Sequence, residues 1–159
     1  MITSPHVFDL PDAEATARFA ERMGAILRPG DCLLLAGPIG AGKTHFSRHL
    51  IQSLLSRPES VPSPTFTLVQ TYDTVAGPLW HADLYRLGAM DEIEELGLAD
   101  AFDEAICLVE WPERLGPLAP RHALWLNLLP DAEDEDLRTV RLCWTDPKWA
   151  PALETIIDD

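Results

Sequence analysis

Lysine is almost missing from this chain. Among 159 residues only Lys43 and Lys148 carry an ε-ammonium, and Lys and Arg together number 12 against 26 Asp and Glu. The formal net charge is -14 and no basic cluster occurs. Nucleic acids and anionic membranes are met by gathered cations, so direct, tight binding to either is not expected. The acidity reads first as solubility. Cysteine is scarce too. Cys32, Cys107 and Cys143 are an odd number, widely spaced and without a C-x-x-C pair. Neither a disulfide framework nor a zinc site is expected from them, and they read as core residues of a protein in a reducing cytosol. No run approaches the ~18 apolar residues of a membrane span. The first residues lack the basic-then-apolar pattern of a secretory signal. Repeats and long linkers are missing as well; Asp131–Asp136, DAEDED, comes nearest to low complexity and reads as a solvated loop.

What is present describes a globular chain. The hydrophobic fraction is 47% and the charged fraction 24%, close to the globular average and far from disorder. The length predicts one domain over residues 1–159, large enough to bury roughly 70% of the surface its unfolded form exposes. Ala13, Ala17, Ala20, Met23 and Leu27 recur at helical spacing over 12–28, and Pro29-Gly30 ends that run. Residues 31–37, DCLLLAG, read as a buried strand. Phe46, Leu50, Ile51, Leu54 and Leu55 form a second helical stripe over 45–56. Residues 60–64 read as a loop, 66–72 and 78–83 as strands around Gly77, and 91–102 as one or two short helices. A further buried strand is expected over 105–110, a strand pair over 122–129 and 137–144, and a closing helix over 147–157. Buried strands alternating with helices predict an α/β domain with a largely parallel central sheet, and the late pair adds some antiparallel members.

The strongest local signal is Gly37-Pro38-Ile39-Gly40-Ala41-Gly42-Lys43-Thr44, which fits G-x-x-x-x-G-K-[ST], the P-loop. Glycines let the chain curl so that successive backbone N–H groups face phosphate oxygens, and the following helix adds its positive end. Lys43 would reach the β- and γ-phosphates and the Thr44 hydroxyl would ligate Mg²⁺. The run sits between an expected strand and an amphipathic helix, the context the motif requires, and one of two lysines falls where the motif needs one. His45 follows on the helix as a candidate neighbour of the nucleotide, plain helix surface being the alternative. A nucleotide-bound Mg²⁺ also calls for an acid at the end of a neighbouring strand. Asp83, ending PLWHAD, and Glu110, ending AICLVE, both qualify. Either would hold a metal-bound water or orient an attacking one, and the residues do not choose between them. No N-K-x-D run occurs, so adenine is preferred over guanine by elimination.

Three further segments accompany the P-loop: Ser63-Pro64-Thr65-Phe66-Thr67-Leu68, His81-Ala82-Asp83-Leu84-Tyr85-Arg86 and Leu108-Val109-Glu110-Trp111-Pro112-Glu113. This ordered set resembles the bacterial TsaE (YjeE) family, P-loop ATPases needed to make threonylcarbamoyladenosine (t6A) in tRNA. The resemblance spans roughly residues 11–114. It implies a P-loop NTPase fold with helices on both faces of the sheet. It implies ATP and Mg²⁺ as cofactors, bound by residues 37–45 with Thr65 and Trp111. Thr44 and Glu110 match the metal ligands, Thr65 a switch-like threonine near the γ-phosphate, and Asp83 the H-x-D acid implicated in catalysis beside Lys43 and Glu110. It also implies TsaB and TsaD as partners, whose complex such proteins bind and support rather than performing the transfer themselves. No arginine finger is evident in cis, so turnover alone is expected to be slow. A small-molecule kinase and a non-hydrolysing nucleotide-dependent binding module are the alternatives. The first would need an acceptor pocket and an arginine-bearing lid, for which 114–121 is a poor candidate. The second would leave Asp83 and Glu110 structural.

Overall fold

The structure, a computed structural model, describes residues 6–57, 59–64, 68–87 and 90–157. In chain order the elements are β1 (His6–Leu10), α1 (Ala13–Ile26), β2 (Cys32–Ala36), α2 (Lys43–Leu54), β3 (Val69–Thr74), β4 (Gly77–Asp83), α3 (Met90–Glu95), α4 (Leu98–Glu104), β5 (Ile106–Glu110), a 3-10 segment (Pro112–Leu118), β6 (Leu124–Pro130), β7 (Arg138–Cys143), α5 (Trp149–Ala152) and α6 (Glu154–Ile157). The strands form one seven-stranded sheet in the order β1-β7-β6-β2-β5-β4-β3. Its central members β6, β2, β5 and β4 run parallel, while β3, β7 and β1 pair antiparallel at the edges. The α/β class, the parallel centre and the late antiparallel pair therefore stand as the sequence predicts.

β2 explains the layering. All five of its residues are buried, and alternate side chains serve opposite faces, as a pleated strand requires. Leu33 and Leu35 join Phe19, Met23, Phe46, Leu50 and Ile51 of α1 and α2 on one face. Cys32 and Leu34 join Leu98, Ala101 and Phe102 of α4 on the other. A strand covered on both sides reads as a continuous apolar run rather than an alternating one, which is why CLLLA is legible without periodicity. Asp12 caps α1 by accepting a 2.8 Å hydrogen bond from the Ala15 N–H. α2 has no such cap: Gly42 precedes it with φ 102°, and among the described residues no side-chain cap serves its first amides. Those donors stay available to a ligand.

β1, the 3-10 segment Pro112–Leu118 and the closing helix depart from the sequence reading. β1 was not foreseen, because HVFDL runs directly into the capping signal of α1 and forms only by pairing with the far end of the chain, Phe8 opposite Val140. It is an edge strand with Val7 53% exposed, so its apolar pattern is half open. The closing helix is broken in two at Leu153, as α5 and α6. Trp149 is fully buried there and its indole Nε1 donates 2.7 Å to the His122 carbonyl, tying the chain end to the start of β6.

Candidate functional site

Three parallel strands finish at one level. Leu35 pairs with Glu110, and Asp83 with Glu110, in register. The carboxyl ends of β2, β5 and β4 thus bring the P-loop and both acids to a common edge of the sheet. β2 lies between β5 and β6, which follow each other in sequence, so the chain crosses over this point. Open α/β sheets bind ligands at such crossings.

The loop itself is held by its glycines. Gly37 and Gly42 have φ of 143° and 102°, values that L side chains rarely adopt. A Cβ on Gly37 would also stand 2.3 Å from the Leu128 carbonyl oxygen of β6, so the loop leaves β2 pressed against the neighbouring backbone. Lys43, the first residue of α2, is 5% exposed. Its Nζ donates to the Gly37 carbonyl and sits 3.4 Å from the ring centroid of Trp111. Burial lowers its pKa from the ordinary lysine value, while the carboxylates of Glu110, Glu113 and Asp83 act in the opposite sense. Added phosphate charge would favour the ammonium further.

Behind the lysine runs a chain of side-chain hydrogen bonds. Thr44 Oγ1 donates 2.8 Å to Glu110 Oε1, and His81 Nε2 lies 2.6 Å from Glu110 Oε2. His81 Nδ1 is buried and has no partner among the described residues. A hydrogen on Nδ1 would be an orphan donor, so the partners assign it to Nε2, where it meets the carboxylate. Both oxygens of Glu110 are therefore engaged. Asp83 is buried beside it, and its Oδ1 accepts from the Tyr85 N–H at 3.0 Å. Trp111 sits at φ 59°, ψ 52°, a left-handed conformation that costs a non-glycine residue roughly 1–2 kcal/mol. That turn at the end of β5 presents the indole to Lys43 on one side and to Tyr85, 4.8 Å away between ring centroids, on the other.

Ile39 to His45, Asp83, Tyr85, Glu110 and Trp111 enclose a cavity of about 360 Å³, within the usual range for small-ligand sites. Gly37 and Pro38 do not line it; they form the base of the loop. Thr65 lies outside the described residues. Tyr85 is the lining residue to which sequence reasoning gave no role, although it stands inside the H-x-D-x-Y-R segment. Arg138 of β7 was missed entirely, for it belongs to no motif, yet its Nε and Nη2 each donate at 3.2 Å, to the Ala41 and Gly40 carbonyls. The oxygen donors of Thr44 and Glu110 suit Mg²⁺, which takes few protein ligands and completes its shell with phosphate and water. Among the described residues no three His, Cys, Asp or Glu side chains gather as a metal-binding cluster.

The family model described as "Threonylcarbamoyl adenosine biosynthesis protein TsaE" matches residues 10–140. The chain belongs to the TsaE family. TsaE of Aquifex aeolicus is 41% identical over 136 residues, covering 84% of this chain and 92% of its own. TsaE of Rickettsia bellii is 41% identical over 119 residues, 75% of this chain and 83% of its own. Among solved structures, Bacillus subtilis YdiB superposes with a TM-score of 0.75 at 26% identity, covering 98% of this chain and 95% of that one. The resemblance drawn from the motifs is thereby borne out, and with it a place in t6A biosynthesis. No described helix of this TsaE-family chain is long and apolar enough to cross a membrane.

Proposed function

We propose that this TsaE-family protein binds ATP with Mg²⁺ in the cavity above residues 37–44, hydrolyses it slowly alone, and cycles a TsaB–TsaD complex during t6A formation. The reading takes residues 1–159 as one P-loop domain. The observation that carries it is the convergence of Lys43, Thr44, Glu110 and Asp83 at one sheet edge beside the uncapped start of α2. Thr44 and Glu110 would hold the Mg²⁺. Bound there, the ion supplies Lewis-acid neutralisation of phosphate charge.

The protein's own groups divide the remaining work. Loop amides hold the phosphates in the ground state and the transition state alike, and the Lys43 ammonium counts most where charge gathers in the transition state. To reach them, Lys43 exchanges the Gly37 carbonyl and the Trp111 face for phosphate oxygens. Glu110 is committed to Thr44 and His81, which favours it as the metal-side acid. Asp83 then takes the attacking water, orienting it and accepting its proton as the γ-phosphate is transferred. Trp111 and Tyr85 close the side of the cavity.

The test is release of inorganic phosphate from ATP by the protein alone, and with purified TsaB and TsaD. Slow release alone that rises with the pair supports the whole reading. Binding without release at either stage would leave a nucleotide-dependent binding module. Transfer of the γ-phosphate to an organic acceptor would make the protein a kinase.

A further inference from the structure

We propose that Arg138 is a positioning residue for the phosphate loop, setting its amides from behind; this rests on the ATP-binding reading. Arg138 opens β7 and does not line the cavity. Its guanidinium nevertheless donates to four carbonyls. Nε serves Ala41 and Nη2 serves Gly40, each at 3.2 Å, while Nη1 serves Glu135 at 2.6 Å and Leu137 at 3.1 Å. The last two anchor the fork to its own hairpin, so the first two pin the loop to the sheet.

The consequence follows from peptide geometry. In a trans peptide the C=O and the next N–H point in opposite directions. With the Ala41 carbonyl turned to Arg138, the Gly42 N–H is aimed the other way, towards the cavity side of the loop. With the Gly40 carbonyl turned likewise, the Ala41 N–H closes onto the Pro38 carbonyl at 3.1 Å, which fixes the curl. Arg138 also covers two partial negative charges that would otherwise oppose a phosphate. Lysine cannot reproduce this, since a point ammonium lacks the planar fork.

The experiment uses the full chain, with R138M keeping the apolar stem and R138K keeping the charge. Dissociation constants for ATP and ADP are measured by calorimetry, kcat and KM by phosphate release, and melting of the free protein in parallel. R138M is expected to weaken ATP and ADP alike by about tenfold, with KM following and kcat within about threefold. That pattern marks loss of binding shared by ground and transition states, which a merely loosened fold would not select. R138K is expected to fall between. Unchanged affinity in folded R138M, or a fall in kcat at constant KM, overturns the proposal. If R138M does not fold, unchanged affinity in R138K overturns it. Failure of the wild-type protein to bind either nucleotide removes the ATP reading itself, and that result needs no variant.

Discussion

Glu110 has one oxygen on Thr44 and the other on His81, while Asp83 accepts from the Tyr85 N–H; the contact with Thr44 is what sets Glu110 on the metal side. Asp83→Asn is expected to bind ATP within about threefold of wild type but to release phosphate at least ~100-fold more slowly, the usual worth of a positioned base. Glu110→Ala is expected to lose phosphate release and, besides, the Mg²⁺-dependent part of ATP affinity, read by calorimetry with and without the metal. Equal behaviour of the two variants would show that the acids are not divided in this way. The thiols offer an independent check. Burial pushes Cys107 up to about 12 and Cys32 well above the ordinary thiol value, and only the thiolate reacts. At pH 8 a disulfide reagent should modify no more than Cys143, which is half-buried, and all three thiols after unfolding in guanidinium. Titration of two or more in the native protein would contradict the burial described. Motif residues were legible one by one because phosphate chemistry restricts their types. The hydrogen bond from His81 to Glu110 was not, since it depends on the register between β4 and β5.

At the scale of elements, the exit from β2 is the most constrained point. Gly37→Ala would place a Cβ 2.3 Å from the Leu128 oxygen at a φ of 143°. Relief requires moving either the loop or β6, and the expected loss is about 3 kcal/mol, in the upper range for single substitutions. Gly42→Ala meets open space and carries only the φ penalty, so it should cost about 1–2 kcal/mol. Denaturant melts of the two variants test the difference; equal costs would argue against the close approach to β6. Elements were legible where a strand is buried on both faces or a helix carries an apolar stripe, as in β2 and α2. β1 escaped because half its surface is solvent and its partner lies at the opposite end of the chain. The split of the closing helix escaped because Trp149 and Leu153 answer to a tertiary pocket, not to a local pattern.

For the whole molecule, charge sets the expectations. A net charge of -14 repels itself, and salt shortens the reach of that repulsion from roughly 30 Å at 0.01 M to about 8 Å at 0.15 M. The melting temperature of the free protein should therefore rise with sodium chloride over that range; a fall would mean that attractive pairs dominate. The same charge predicts weak binding to tRNA by this chain alone, so a tight complex in a low-salt mobility shift would refute it. Strand order was not legible at all. It is decided by which face each helix covers, and composition carries no trace of that.

The terminal hairpin touches the phosphate loop twice, through Leu128 at Gly37 and through Arg138 at Gly40 and Ala41. The acidic tip at 131–136 joins the two strands that bear these contacts, so a displacement of the tip would act on the phosphate loop as on a lever. A peptide spliced into it should disturb ATP affinity from outside the cavity, whereas the same peptide joined after residue 159 would leave that lever untouched.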